Sequence, residues 1–313
     1  MNAGARLGIY GGGLVVAFVA AFGLAGVVVP HEAVDEWKAG SAMQSHANGD
    51  GGSSVTSLKG LSLSAEGLQL SPVSAPRAVG EDGTLSFRVE TLGGETVTAF
   101  ERAHEKVLHL IVVRSDGSEF RHVHPTMDEA GTWSIPWVWE EAGTYRVFAD
   151  FTPASGDEGV TLTQTVQVDG SFVAVVSEPR RVDQIDGFAV EIEGDLVAGT
   201  VSDLRITVSR DGDPVTGLEP YLGAFGHLVA LREGDLAYLH VHAAGDAPKE
   251  GETSGPEIAF AAEAPPAGRY LLYLDFQVNG TVHTAEFVLD AAHGSTDHET
   301  TDETEAPTHS DGH

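Results

Sequence analysis

The sequence predicts an all-β chain: two tandem immunoglobulin-like β-sandwiches behind an N-terminal transmembrane helix. Three observations predict this. An uncharged apolar run opens the chain. Short alternating segments separated by turn residues fill its middle, with no long 3.6-residue period. A sixteen-residue phrase then recurs 118 positions later with its histidines in place.

The apolar run is Leu7–Val29, LGIYGGGLVVAFVAAFGLAGVVV. At about 1.5 Å per residue it is just long enough to cross a hydrocarbon core of roughly 30 Å. Arg6 precedes it, and Glu32, Asp35 and Glu36 follow. The positive flank stays inside, so the bulk of the chain is expected outside a single-pass cell membrane span. A cleaved signal peptide is the alternative for residues 1–30, and it exports the chain equally. Residues 31–59 contain SHANGDGGSS and are expected to form a flexible linker. Sandwich copies are expected over 60–170 and 171–291. The remainder, 292–313, is acidic, contains histidine and has almost no apolar residues. It cannot bury enough surface to offset its ordering entropy, so a disordered tail is expected there.

Composition excludes several functions. The formal net charge of -30, from 47 acids against 17 bases, repels nucleic acid. The chain has no cysteine, so disulfides, thiolate metal sites and thiol nucleophiles are all ruled out. A metal would need nitrogen, oxygen or thioether ligands. No phosphate loop, nucleophile elbow, H-E-x-x-H helix or dinucleotide fingerprint is present.

The repeat carries the chemistry. HLIVVRSDGSEFRHVH at 109–124 aligns without a gap on HLVALREGDLAYLHVH at 227–242. Six of the sixteen positions are identical, and three of the six are histidines: His109 with His227, His122 with His240, His124 with His242. VTAFE at 97–101 matches VTGLE at 215–219, and GTYRVFADF at 143–151 resembles GRYLLYLDF at 268–276. A repeat of this length is a domain duplication. With Asp116-Gly117 at the centre of a two-residue turn, His109 faces His124 and Ile111 faces His122. Period-two alternation then puts His109, His122 and His124 on one face. With Gly234-Asp235 as the second turn, His227 faces His242, beside His240.

Three imidazoles with an open fourth position form a known zinc arrangement, and imidazole suits copper as well. An H-x-H strand with a third histidine on its neighbour resembles the zinc site of carbonic anhydrases, over a few residues and not the fold. Asp150 and Asp275, in FADF and LDF, are candidate fourth ligands or carboxylate partners of a ligand's second ring nitrogen. The competing reading makes the histidines core residues bonded to backbone. Ile111, Val113 and Phe120 share their face, as do Val229, Leu231 and Tyr238, and an apolar setting fits both readings. Arg114, on the opposite face, is expected to pair with Glu119. Trp133, Trp137 and Trp139 are expected in core or inter-domain packing.

Across roughly 97–290 the phrases HLIVVRSDGSEFRHVHP, GTYRVFADF and YLGAFGHLVALREGDLAYLHVH resemble bacterial membrane-anchored or exported duplicated proteins of poorly defined function. Such proteins are often associated with heavy-metal, especially copper, handling. The resemblance implies His109, His122, His124, His227, His240 and His242 as the functional positions. One departure is Ala243, where Pro125 would be repeated.

The expected function is thus an extracytoplasmic, membrane-anchored protein holding copper(II) or zinc through histidine triads. Its purpose would be resistance, sequestration or delivery, with a metal transporter as the candidate partner. One alternative is a structural or adhesive tandem ectodomain with core histidines. Another is a zinc-dependent hydrolytic enzyme, for which no general base is identifiable.

Overall fold

The computed structural model describes residues 59–294 except 157, 240, 246 and 250. The expected anchor, most of the linker and most of the tail lie outside the described residues. Among these residues there is no helix long and apolar enough to cross a membrane. All of them belong to one compact unit, Thr56–His313.

The first copy runs β1 (Ser64–Ala65), β2 (Leu68–Leu70), β3 (Gly83–Thr91), β4 (Phe100–Glu101), β5 (Leu108–Arg114), β6 (Arg121–Val123), β7 (Thr126–Met127), β8 (Thr132–Trp137), β9 (Gly143–Pro153) and β10 (Val160–Val168). The second runs β11 (Val182–Ile185), β12 (Phe188–Glu193), β13 (Val201–Arg210), β14 (Asp213–Pro214), β15 (His227–Arg232), β16 (Tyr238–Leu239), β17 (Val241–Ala243), β18 (Glu257–Glu263), β19 (Gly268–Val278) and β20 (Thr281–Ala291). Each copy has two sheets, ordered β1-β2-β3-β8-β7 and β10-β9-β5-β6, then β11-β12-β13-β18-β17 and β16-β15-β19-β20. The chain is all-β over the described residues, and the architecture repeats.

Each copy closes its own core between its two sheets. Leu85, Phe87 and Val89 of β3 meet Leu108, Leu110 and Val112 of β5. In the second copy Leu204, Ile206 and Val208 of β13 meet Leu228 and Ala230 of β15. Trp133, Trp137 and Trp139 join the first core. Trp139 Nε1 donates to the Pro76 carbonyl, while the indole N–H groups of Trp133 and Trp137 find no partner among the described residues.

A third apolar cluster joins the copies. Ile111, Val113 and Phe148 pack with Val229, Leu231, Leu236, Leu271, Tyr273 and Val288. Strand β5 is therefore buried along both faces, the usual reason for a near-continuous apolar run such as LHLIVVR. The packing is reciprocal. Phe120 stacks on Tyr273 at 3.9 Å, and their counterparts Tyr238 and Phe148 meet at 6.1 Å. Such exchange of equivalent partners marks an approximate two-fold relation between the duplicated halves.

The hairpin register agrees with expectation, but the turn does not. Leu110 pairs with Val123 and Ile111 with His122. The Gly117 N–H donates to the Arg114 carbonyl and the Arg114 N–H to that of Ser118, with Gly117 at φ 86. The loop therefore takes three residues, Ser115 to Gly117, rather than two. Glu119, at φ 55, adds a residue to the return strand and restores the register. Arg114 pairs with Asp116 inside the turn, through Nε–Oδ1 and Nη2–Oδ2 at 3.0 Å each, rather than with Glu119. In the second copy Ala230 pairs with Leu239 and Leu231 with Tyr238, as expected.

Candidate metal centre

The face of β5 that meets the second copy carries His109, and beside it stand His122, on β6, and His124, just past the end of β6. His109 Nδ1 lies 3.0 Å from His122 Nε2 and 3.2 Å from His124 Nε2. The expected first triad is thus brought together. His227, expected to anchor a separate site in the second copy, stands with this group instead. One ligand atom from each of His109, His122 and His227 can be chosen so that all lie within 4.8 Å of one another. The His109 and His227 rings are parallel, 1° apart in tilt and 5.7 Å between centroids.

The second triad is not described. His240 lies outside the described residues, and of His242 only the backbone is placed. That backbone belongs to β17 and pairs with Ala261 in the other sheet of its sandwich. The chain changes sheets between β16 and β17, so the expected ladder pairing of His227 with His242 does not form. The ladder neighbour of His227 is Asp275, on β19, and that of His109 is Asp150, on β9. Both carboxylates are held alike: Thr161 donates to Asp150 Oδ1 at 2.7 Å, and Thr284 to Asp275 Oδ1 at 2.6 Å. Asp275 then reaches across the interface, its Oδ2 lying 2.8 Å from His122 Nδ1.

These contacts determine where the ring protons sit. The Ala103 carbonyl can only accept, so His109 Nε2, 3.2 Å away, carries a hydrogen. Burial raises the Asp275 carboxyl to about 6, so at neutral pH it is still mainly the carboxylate, and His122 Nδ1 donates to it. Neutral imidazole has one N–H. His109 Nδ1 and His122 Nε2 therefore both present lone pairs, 3.0 Å apart with no hydrogen between them. That pair is repulsive unless a cation, or an N–H donated by His124 Nε2, sits beside it.

A proton is poorly suited to that role. Burial holds His122 and His124 down to about 3, and the neighbouring imidazoles push the same way. Burial also lowers His109, and lowers His227 well below the ordinary histidine value. A divalent metal ion fits better. Nitrogens on a tetrahedral zinc, with Zn–N bonds of about 2.0–2.1 Å, are separated by about 3.3 Å. The two closest separations here, 3.0 and 3.2 Å, are near that spacing. Asp275 is placed to orient His122 through its second nitrogen, as carboxylates do for metal-bound histidine.

A fifth histidine is also present. His104 is exposed, and its ring lies 6.1 Å from that of His109 and 5.9 Å from that of His227. It has no counterpart in the second copy, so the repeat gave no reason to single it out. The only signal was its place five residues before His109.

Three solved structures show weak similarity to this chain. A Salmonella alpha-2-macroglobulin is 16% identical over 77% of this chain and 15% of its own, with a TM-score of 0.24. The Yersinia pseudotuberculosis adhesin InvE is 11% identical over 71% and 58%, with a TM-score of 0.21. Domains 4 and 5 of the S-layer protein SbsC are 11% identical over 68% and 83%, with a TM-score of 0.21. The chain spans only about 15% of the alpha-2-macroglobulin's length. No curated protein matches the sequence. One family model matches twice, over residues 64–170 and 183–293, once for each copy of the fold. The chain belongs to the family described as Domain of unknown function (DUF8832).

Proposed function

We propose that this chain is an exported, membrane-anchored metal-binding protein. In this reading it holds one copper(II) or zinc ion at the junction of its two halves, for resistance, sequestration or delivery to a metal transporter. His109, His122 and His227 supply the ligand set, with His124 beside His109 and Asp275 orienting His122. The observation that carries the reading is the pair of lone pairs facing each other at 3.0 Å, each fixed by a hydrogen bond on the far side of its ring. All-imidazole donors in a chain without cysteine suit zinc or copper(II) better than a thiolate-selected ion.

The test is elemental analysis of the full chain, loaded with Zn(II) or Cu(II) and washed with a weak chelator. The reading expects one retained ion per chain, lost in His109→Ala and in His122→Ala. No retained ion, or retention unchanged in both variants, overturns it.

A second reading keeps the chain as a structural or adhesive ectodomain whose histidines are interface residues. The fused apolar interface between the halves favours it, because a rigid tandem unit needs no metal. It expects a melting temperature that does not respond to Zn(II) or to chelator.

A further inference from the structure

The histidine cluster is largely closed to water. His109 is buried, and the His122 side chain is fully buried. His124 and His227 are only partly exposed. A hydrated ion must shed water and cross from solvent to these rings. We propose that His104 is the entry ligand of the site: it takes the ion from solvent and passes it to His109 and His227. The proposal rests on the metal-binding reading above.

Position and asymmetry argue for it. His104 is the one exposed imidazole among the described members of the group. Its ring stands edge-on to both inner rings, at 72° to His109 and 70° to His227. It spans the seam between the halves, where those two rings lie parallel. It sits in a tight loop in which Ala103 and Lys106 exchange backbone hydrogen bonds. The repeat maps this loop onto Tyr221–Ala224, which is closed by the same pair of bonds.

The position equivalent to His104 is Leu222. Both residues hold positive φ, 48° and 55°. A leucine thus takes the same backbone conformation, so the loop itself does not require histidine. Leu222 is buried, whereas His104 points its ring at the cluster from the solvent side. The difference is what a solvent-facing ligand requires. The strongly acidic chain draws cations to its surface. There an imidazole nitrogen replaces one metal-bound water, and the inner imidazoles replace the remainder in turn. No electron or proton need move.

A ligand that serves only the passage speeds entry and exit together and leaves the equilibrium alone. The experiment is stopped-flow uptake of Zn(II) by the full chain, paired with Zn(II) release to a chromophoric chelator. His104→Gly removes the ring and suits the positive φ. His104→Asp keeps a metal-binding side chain that tolerates the same φ. His104→Gly should slow uptake and release together by about tenfold, leaving Kd within about threefold. His104→Asp should restore most of both rates, which a purely structural role would not do. Unchanged rates in His104→Gly, or a weaker Kd with unchanged uptake, overturns the entry role while leaving the metal site standing. Absence of tight Zn(II) binding by the unaltered chain, or tight binding that His122→Ala leaves unchanged, overturns the site itself.

Discussion

At the scale of single residues, the rings of the cluster depend on neighbours from the other half of the molecule. His109, His122 and His124 were legible because period-two alternation and the turn put them on one face. Asp275 was legible only as a matched aspartate. Its contact with His122 crosses from one half to the other, and no spacing along the chain encodes that. Replacing it tests the orienting role. Asp275→Asn should weaken Zn(II) affinity by about 10–100-fold, measured by chelator competition, with the ligand rings still present. The same residues set a pH dependence. His122 and His124 titrate near 3 in the fold and near 6.5 when unfolded, and His109 and His227 are lowered too. Below about pH 6.5 the unfolded chain binds protons that the native chain refuses, so native stability falls with pH. Asp275 acts the other way, because its raised value lets the native chain take a proton first between about 6 and the ordinary aspartate value of 3.8. Four imidazoles outweigh one carboxyl. The metal-free chain should therefore melt lower at pH 5 than at pH 7, and His122→Ala should flatten that difference in a thermal scan.

At the scale of elements, the strands follow the alternation of the sequence, while the turn of the first hairpin follows its side-chain bonds. Asp-Gly suggested a two-residue turn, but Asp116 is held by Arg114 and by Ser118, and only Gly117 has positive φ there. The histidine register survived because Glu119 makes up the missing residue. Local propensity does not reveal such paired irregularities, since each depends on side-chain bonds closing the loop. Gly117 also touches the other half: a Cβ there would clash with Leu271 Cδ1, and Tyr273 donates its hydroxyl to the Gly117 carbonyl. Gly117→Ala combines positive-φ strain with a clash across the interface. It should destabilise the chain by about 1–3 kcal/mol in urea denaturation. Strand β5 carried a clue that was available early. Its apolar residues occupy both faces, while one sandwich needs only one. The second face is the interface, and that is why the histidines sit among Ile111, Val113 and Phe120.

At the scale of the whole molecule, the two halves share buried surface and one histidine cluster. The fused cluster of Ile111, Val113, Phe148, Leu231 and Tyr273 makes separate unfolding unfavourable. Calorimetry should show one cooperative transition, and Ile111→Asp, which buries an uncompensated charge, should split or abolish it. Zn(II) in excess should raise the transition temperature, because an ion bound only by the native state stabilises it by mass action. The size of the shift should fall in His227→Ala as much as in His109→Ala, since in the proposed site the two halves supply the ligands jointly.

The sequence by itself determined the β-class, the duplication, the register of β5 with β6 and of β15 with β16, and which histidines recur. All of these are local, written in side-chain period, turn residues and the 118-residue offset. Only the tertiary structure decided that the first copy's triad is joined by the second copy's His227 and Asp275. The reason is physical: which apolar face covers which depends on the packing of whole sheets. A sequence that makes both faces of one hairpin apolar says that something must cover the second face. It does not say that the covering surface is the chain's own repeat.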